Sequence, residues 1–69
     1  MRYSIVVEKT DSGFSACSPD LDGCIATGDT QEDVEKLMKE SIEFHLDEMR
    51  EEGLNIPEPR TYSRYVEVV

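Results

Sequence analysis

The chain has 69 residues, 38% hydrophobic and 33% charged, with 7 Lys and Arg against 16 Asp and Glu. No apolar run approaches the length of a transmembrane helix, and Met1-Arg2-Tyr3 opens directly into a strand pattern with no signal-peptide profile. A formal net charge of −9 repels phosphate backbones and anionic membranes and favours basic partners.

A single small domain is expected, spanning residues 1–69 with no DNA-binding extension, and a cytoplasmic location goes with it. A chain of this length buries only about 60% of its unfolded surface, so self-association is the expected reinforcement.

Arg2 to Lys9 reads as the first strand, rich in Tyr, Ile and Val, with Tyr3, Ile5 and Val7 on one face. Thr10-Asp11-Ser12-Gly13 is a hairpin turn, read as a three-residue loop with Gly13 supplying a bulge. In that register Phe14 and Ala16 of the second strand, Phe14 to Ser18, join Val6 on the opposite face. An apolar second face would need a partner subunit. Pro19 to Gly23 reverses the chain, and Cys24 to Thr27 is a short third strand.

Thr30 suits an N-cap, its hydroxyl accepting from the Asp33 amide while Asp33 reaches back as the capping-box acid. Val34, Leu37, Met38, Ile42, Leu46 and Met49 then recur at helical spacing, and Gly53 is a left-handed stop. The predicted helix runs from Gln31 to Glu52. Leu54 to Pro59 is too rich in proline to be regular, and Tyr62 to Val69 is predicted as a fourth strand. The order βββαβ implies an α+β fold: an antiparallel three-stranded meander plus one strand, with a single helix on one face. The fourth strand fits either beside strand one or on a neighbouring molecule.

Several of these segments together resemble the HicB-type antitoxin family. They are Gly13-Phe14-Ser15-Ala16, Pro19-Asp20-Leu21-Asp22-Gly23-Cys24, Gly28-Asp29-Thr30, Ile42-Glu43-Phe44-His45-Leu46 and Ile56-Pro57-Glu58-Pro59. Asp22 stands where that family often has Pro. The resemblance covers roughly residues 2 to 59. It implies a truncated RNase H-like sheet, no catalytic residues in this chain, and a partner that is a small basic ribonuclease toxin of the HicA type.

His45 lies near the middle of the apolar arc of the helix, where a packed neutral imidazole is expected rather than a catalytic base, since no second catalytic group converges on it. Asp20, Asp22 and Asp29 could hold Mg²⁺ as in a minimal metal-dependent RNase H-like nuclease, but Asp is also the common residue of turns and caps. Cys17 and Cys24 lack the spacing of a zinc site. A disulfide across the hairpin is geometrically conceivable, and two reduced, half-buried thiols are expected. No metal or cofactor is expected.

Residues 31 to 52 hold nine acids and three bases. Glu32–Lys36 and Glu35–Lys39 are supportive pairs, whereas Glu43–Asp47, Asp47–Glu51 and Glu48–Glu52 oppose like charges one turn apart. Glu40, Glu43, Asp47 and Glu51 fall on one stripe and are the candidate partner-binding residues; Val6, Phe14 and Tyr65 are the candidate contacts of a homodimer or tetramer.

The leading expectation is an antitoxin-like binding protein. Its rivals are the nuclease and an orphan oligomeric domain without a toxin. With its excess of acid and no basic arm, the chain alone is expected to bind no operator DNA at physiological salt. A gel shift with its own promoter is the check, and tight, salt-sensitive retardation would contradict it.

Overall fold

The computed structural model describes all 69 residues. Three strands, β1 (Val6–Thr10), β2 (Gly13–Cys17) and β3 (Ile25–Gly28), precede one helix, α1 (Gln31–Glu51). The strands form an antiparallel sheet in the order β1-β2-β3, as the meander reading anticipates.

The β1–β2 turn differs from expectation. Thr10 pairs with Gly13, so only Asp11 and Ser12 lie outside the ladder and there is no bulge. Gly13 is needed for a different reason: a Cβ there would stand 2.4 Å from the Gly28 carbonyl oxygen on β3. This tight register pairs Val7 with Ala16 and Lys9 with Phe14. Because cross-strand partners share a face, Phe14 and Ala16 lie with Val7 toward the helix, not with Val6. Ala16 is buried and Phe14 packs against the core. The reading of Phe14 as a second-face residue and oligomer contact is therefore corrected. The outer face keeps only one apolar row, in which Val6 pairs with Cys17 and Cys17 with Ile25; Ile25 is 67% exposed.

The core is the seam between that sheet and α1. Val34, Met38 and Leu46 from the helix meet Ala16, Leu21 and Cys24. Tyr3, Ile5, Val7, Phe14, Ala26, Ile42, Met49 and Ile56 pack around them, half-buried. Leu21 reaches the core because the loop around it folds back on itself. The Ser18 amide donates to the Cys24 carbonyl (3.2 Å), the Leu21 amide to Ser18 (3.2 Å) and the Cys24 amide to Leu21 (3.3 Å). The Ser18 hydroxyl also donates to the Ser4 carbonyl at 3.1 Å, tying the loop to the chain entering β1.

The helix begins and ends as its sequence dictates. The Thr30 hydroxyl accepts from the Asp33 amide at 3.1 Å. Only this half of the capping box forms, since the short Asp33 side chain makes no return bond to the cap. At the far end Gly53 has φ +72°. Its amide donates to the Arg50 carbonyl (3.1 Å) and the Leu54 amide to Met49 (2.9 Å), a Schellman closure.

The predicted fourth strand is absent. Tyr62 to Val69 forms no ladder, and residues 60 to 69 are all exposed. A strand needs a neighbour's backbone, and in the single chain this segment leaves β1 unpaired on its free edge. The α+β class with one helix on one face stands, in the order βββα. The tail stretches the molecule to 46 × 27 × 16 Å, with a radius of gyration of 13.5 Å. A compact domain of this length would give about 11 Å.

Leu21 is the side chain that joins loop, sheet and helix. Leu21→Ala is expected to cost about 2–5 kcal/mol in urea unfolding, because the loop's own hydrogen bonds hinder collapse into the void. A loss below about 0.5 kcal/mol would show that the loop moves freely with its side chain.

Candidate functional site

The outward face of α1 is the most chemically distinctive surface. Glu40, Glu43, Asp47 and Glu51 are all exposed, opposite the buried Val34, Met38 and Leu46. Asp47 is partly neutralised within the chain, accepting from the Arg50 guanidinium at 3.1 Å in an exposed pair that adds little stability. The other three have no ion pair within the chain. The sequence reading missed what lies among them. Phe44 is 68% exposed and Leu37 is 43% exposed, and helical spacing puts Phe44 beside Glu40 and Asp47, and Leu37 beside Glu40. Leu37 reads as core from its apolar spacing, but it lies at the edge of the arc and turns outward. The face is thus mixed, with carboxylates around an exposed aromatic side chain.

The catalytic candidates do not assemble. His45 is half-buried on the inner side of the helix. Asp20, Asp22 and Asp29 do not converge into a metal-ligating group. Cys17 is exposed on the outer sheet face, whereas Cys24 is buried on the helix face, and both are free thiols. Residues at successive pleats point to opposite faces, which rules out a bridge across this hairpin.

Asp20 has a role that turn chemistry alone did not suggest. One carboxylate oxygen accepts from the backbone amides of Arg60 and Thr61, both at 3.0 Å, and the other accepts from the Thr61 hydroxyl at 2.8 Å. The backbone and hydroxyl bonds from Thr61 hold its pKa below the ordinary carboxylate value, with the Arg60 amide and charge adding to the effect. Nearby, the Tyr3 hydroxyl donates to the Pro57 carbonyl. Burial, and then the charges of Glu58 and Asp20, raise the phenol pKa. Together these contacts clasp residues 57 to 61 onto the Pro19–Gly23 loop and the start of the chain.

Between α1 and the residues that lead into β1 lies a groove of about 350 Å³. Tyr3, Ile5, Met38, Ile42 and Leu46 line it, and Glu35, Lys39 and Glu43 stand among its walls.

The fold is a one-sided α+β domain with an acidic, aromatic-centred helix face. The comparisons with known proteins name its family. Residues 3–68 match the model of the HicB-like antitoxin of bacterial toxin-antitoxin systems. The chain belongs to this family, whose members are antitoxins, not enzymes.

It is 33% identical over 66 residues to an uncharacterized 14.9 kDa protein of Haemophilus phage HP1, covering 96% of this chain and 50% of that protein. It is also 33% identical over 54 residues to a UPF0150 protein of Helicobacter pylori, covering 78% of this chain and 75% of the relative. The chain thus spans half the length of the phage relative. Among solved structures it is similar to a chain of the HicA3 and HicB3 toxin-antitoxin complex, with a TM-score of 0.71 and 35% identity over 86% of this chain and 70% of that one. It is similar to the crystal structure of the antitoxin HicB3 as well, with a TM-score of 0.70 and 37% identity over 83% of this chain and 42% of that one.

The clasp carries a pH signature. Because the folded pKa of Asp20 is lowered, its contribution is complete above the ordinary value of 3.8 and is lost only as the pH falls below that value, through the folded pKa. In hydrogen exchange, the Arg60 and Thr61 amides are expected to be protected at neutral pH. They should lose protection in Asp20→Ala at every pH, while α1 keeps its protection. Equal exchange in parent and variant would show that the clasp does not hold the tail in solution.

Proposed function

We propose that this protein binds and neutralises a small basic ribonuclease toxin of the HicA type, an mRNA interferase, in the cytoplasm. The observation that carries the reading is its similarity, over most of its length, to a chain of a HicA3–HicB3 complex. The chemistry of α1 supports it. A ribonuclease that grips RNA needs an electropositive surface around its catalytic group. Carboxylates at Glu40, Glu43, Asp47 and Glu51 offer that surface a substitute for phosphates, and Phe44 supplies a desolvated anchor among them.

The like-charge pairs of the free helix make the same point energetically. Each costs a few tenths of a kcal/mol in isolation, and partner Lys or Arg side chains would relieve them. A homodimer or tetramer accompanies this function in our reading, with Val6 and Tyr65 as contacts; Phe14 is withdrawn because it faces the helix.

Reversing Glu43, Asp47 and Glu51 together to Lys is expected to slow association with the co-encoded toxin by about tenfold or more at low salt, an effect that shrinks as salt rises. Phe44→Ala is expected to act mainly on dissociation. Surface plasmon resonance at two salt concentrations separates the effects, with circular dichroism confirming an intact helix. Parental association rates in the triple variant would move the docking surface off α1.

A further inference from the structure

Three features of the fold are each incomplete, and they are complementary. The first is the groove between α1 and the chain entering β1. Its floor is apolar, formed by Tyr3, Ile5, Met38, Ile42 and Leu46, with Glu35, Lys39 and Glu43 among its walls. The second is the free edge of β1, whose backbone groups on that side have no ladder partner. The third is the tail. Tyr62, Tyr65, Val66 and Val68 are 74%, 100%, 82% and 86% exposed, although aromatic and β-branched residues are strong strand formers. Clasped at Thr61 by Asp20, the tail runs past Arg2 to Ser4, and every residue beyond is exposed.

We infer that residues 62–69 of a second copy of this chain pair with the β1 edge and fill the groove, each copy lending its tail to the other. The proposal rests on the self-association put forward above and specifies its site. Alternation along the tail fits both faces at once. Tyr62, Arg64, Val66 and Val68 share one face and would turn toward α1, laying apolar side chains on the groove floor and Arg64 against Glu35 and Glu43. Tyr65 on the other face would continue the outer apolar row of Val6, Cys17 and Ile25. Charge agrees with that placement: Arg64 would meet the net acidic wall of Glu35, Lys39 and Glu43, while Glu67 stands on the opposite face of the tail. Exchange also covers an apolar edge strand that would otherwise be open to aggregation.

The test uses the full chain in two steps. Light scattering at micromolar concentration is expected to give a dimer or a multiple of it. NMR on a mixture of differently labelled copies is expected to give intermolecular contacts from the Val66 and Val68 methyls to Ile5 and Ile42. Val66→Asp with Val68→Asp should weaken association about tenfold or more while leaving the helical circular dichroism unchanged.

A monomeric parent would overturn both the self-association and the exchange. Three outcomes would overturn the exchange alone: an oligomer whose tails contact only each other, one whose tail contacts lie within one chain, or one that the double variant leaves intact.

Discussion

One helix lies across one face of three strands, and most of the molecule follows from that single seam. Val34 and Met38 are fully buried under it, and the loop bearing Leu21 is drawn into it. Burying each such side chain contributes about 1.5–3 kcal/mol, and few others are buried to the same degree. A core this small tolerates no loss of register. The Gly13–Gly28 approach matters for that reason, since it lets β2 and β3 close beneath the start of α1 without a bulge.

The same economy leaves surfaces unfinished. With helix on one side only, Val6, Cys17 and Ile25 form an uncovered row on the other, and the β1 edge and its groove stay open. The tail is the converse case, strand-forming chemistry with nothing to pair against. Asp20 and Tyr3 hold the root of this segment in a defined place, so its direction of exit is set by the fold rather than left to diffusion.

Charge is arranged with similar asymmetry. The inner side of α1 is apolar, and its outer side gathers carboxylates that repel one another around Phe44. Local helix rules are broken there, which agrees with our proposal that this face docks a basic partner. The arrangement also explains why Asp20 and His45 are poor guides to function. The carboxylate of Asp20 is engaged by backbone amides, and the imidazole of His45 lies on the inner side of the helix, so neither faces a common space with a second reactive group.

The sequence by itself determined the local elements. Helical spacing, the Thr30 cap and the Gly53 stop located α1 to within a residue, because caps and periodicity are written in neighbouring side chains. The three-stranded meander and the acidic stripe were legible for the same reason. Long-range geometry decided the rest. A turn one residue shorter than expected moved Phe14 and Ala16 to the helix face, since a strand's period of two reverses every side chain when the register slips by one. Leu21 became core only because its loop closes on itself, and Asp20 became a clasp only because residue 61 returns to it from 41 positions away. Tyr62 to Val69 have every local mark of a strand, yet a strand exists only where another backbone meets it, and in the single chain none does.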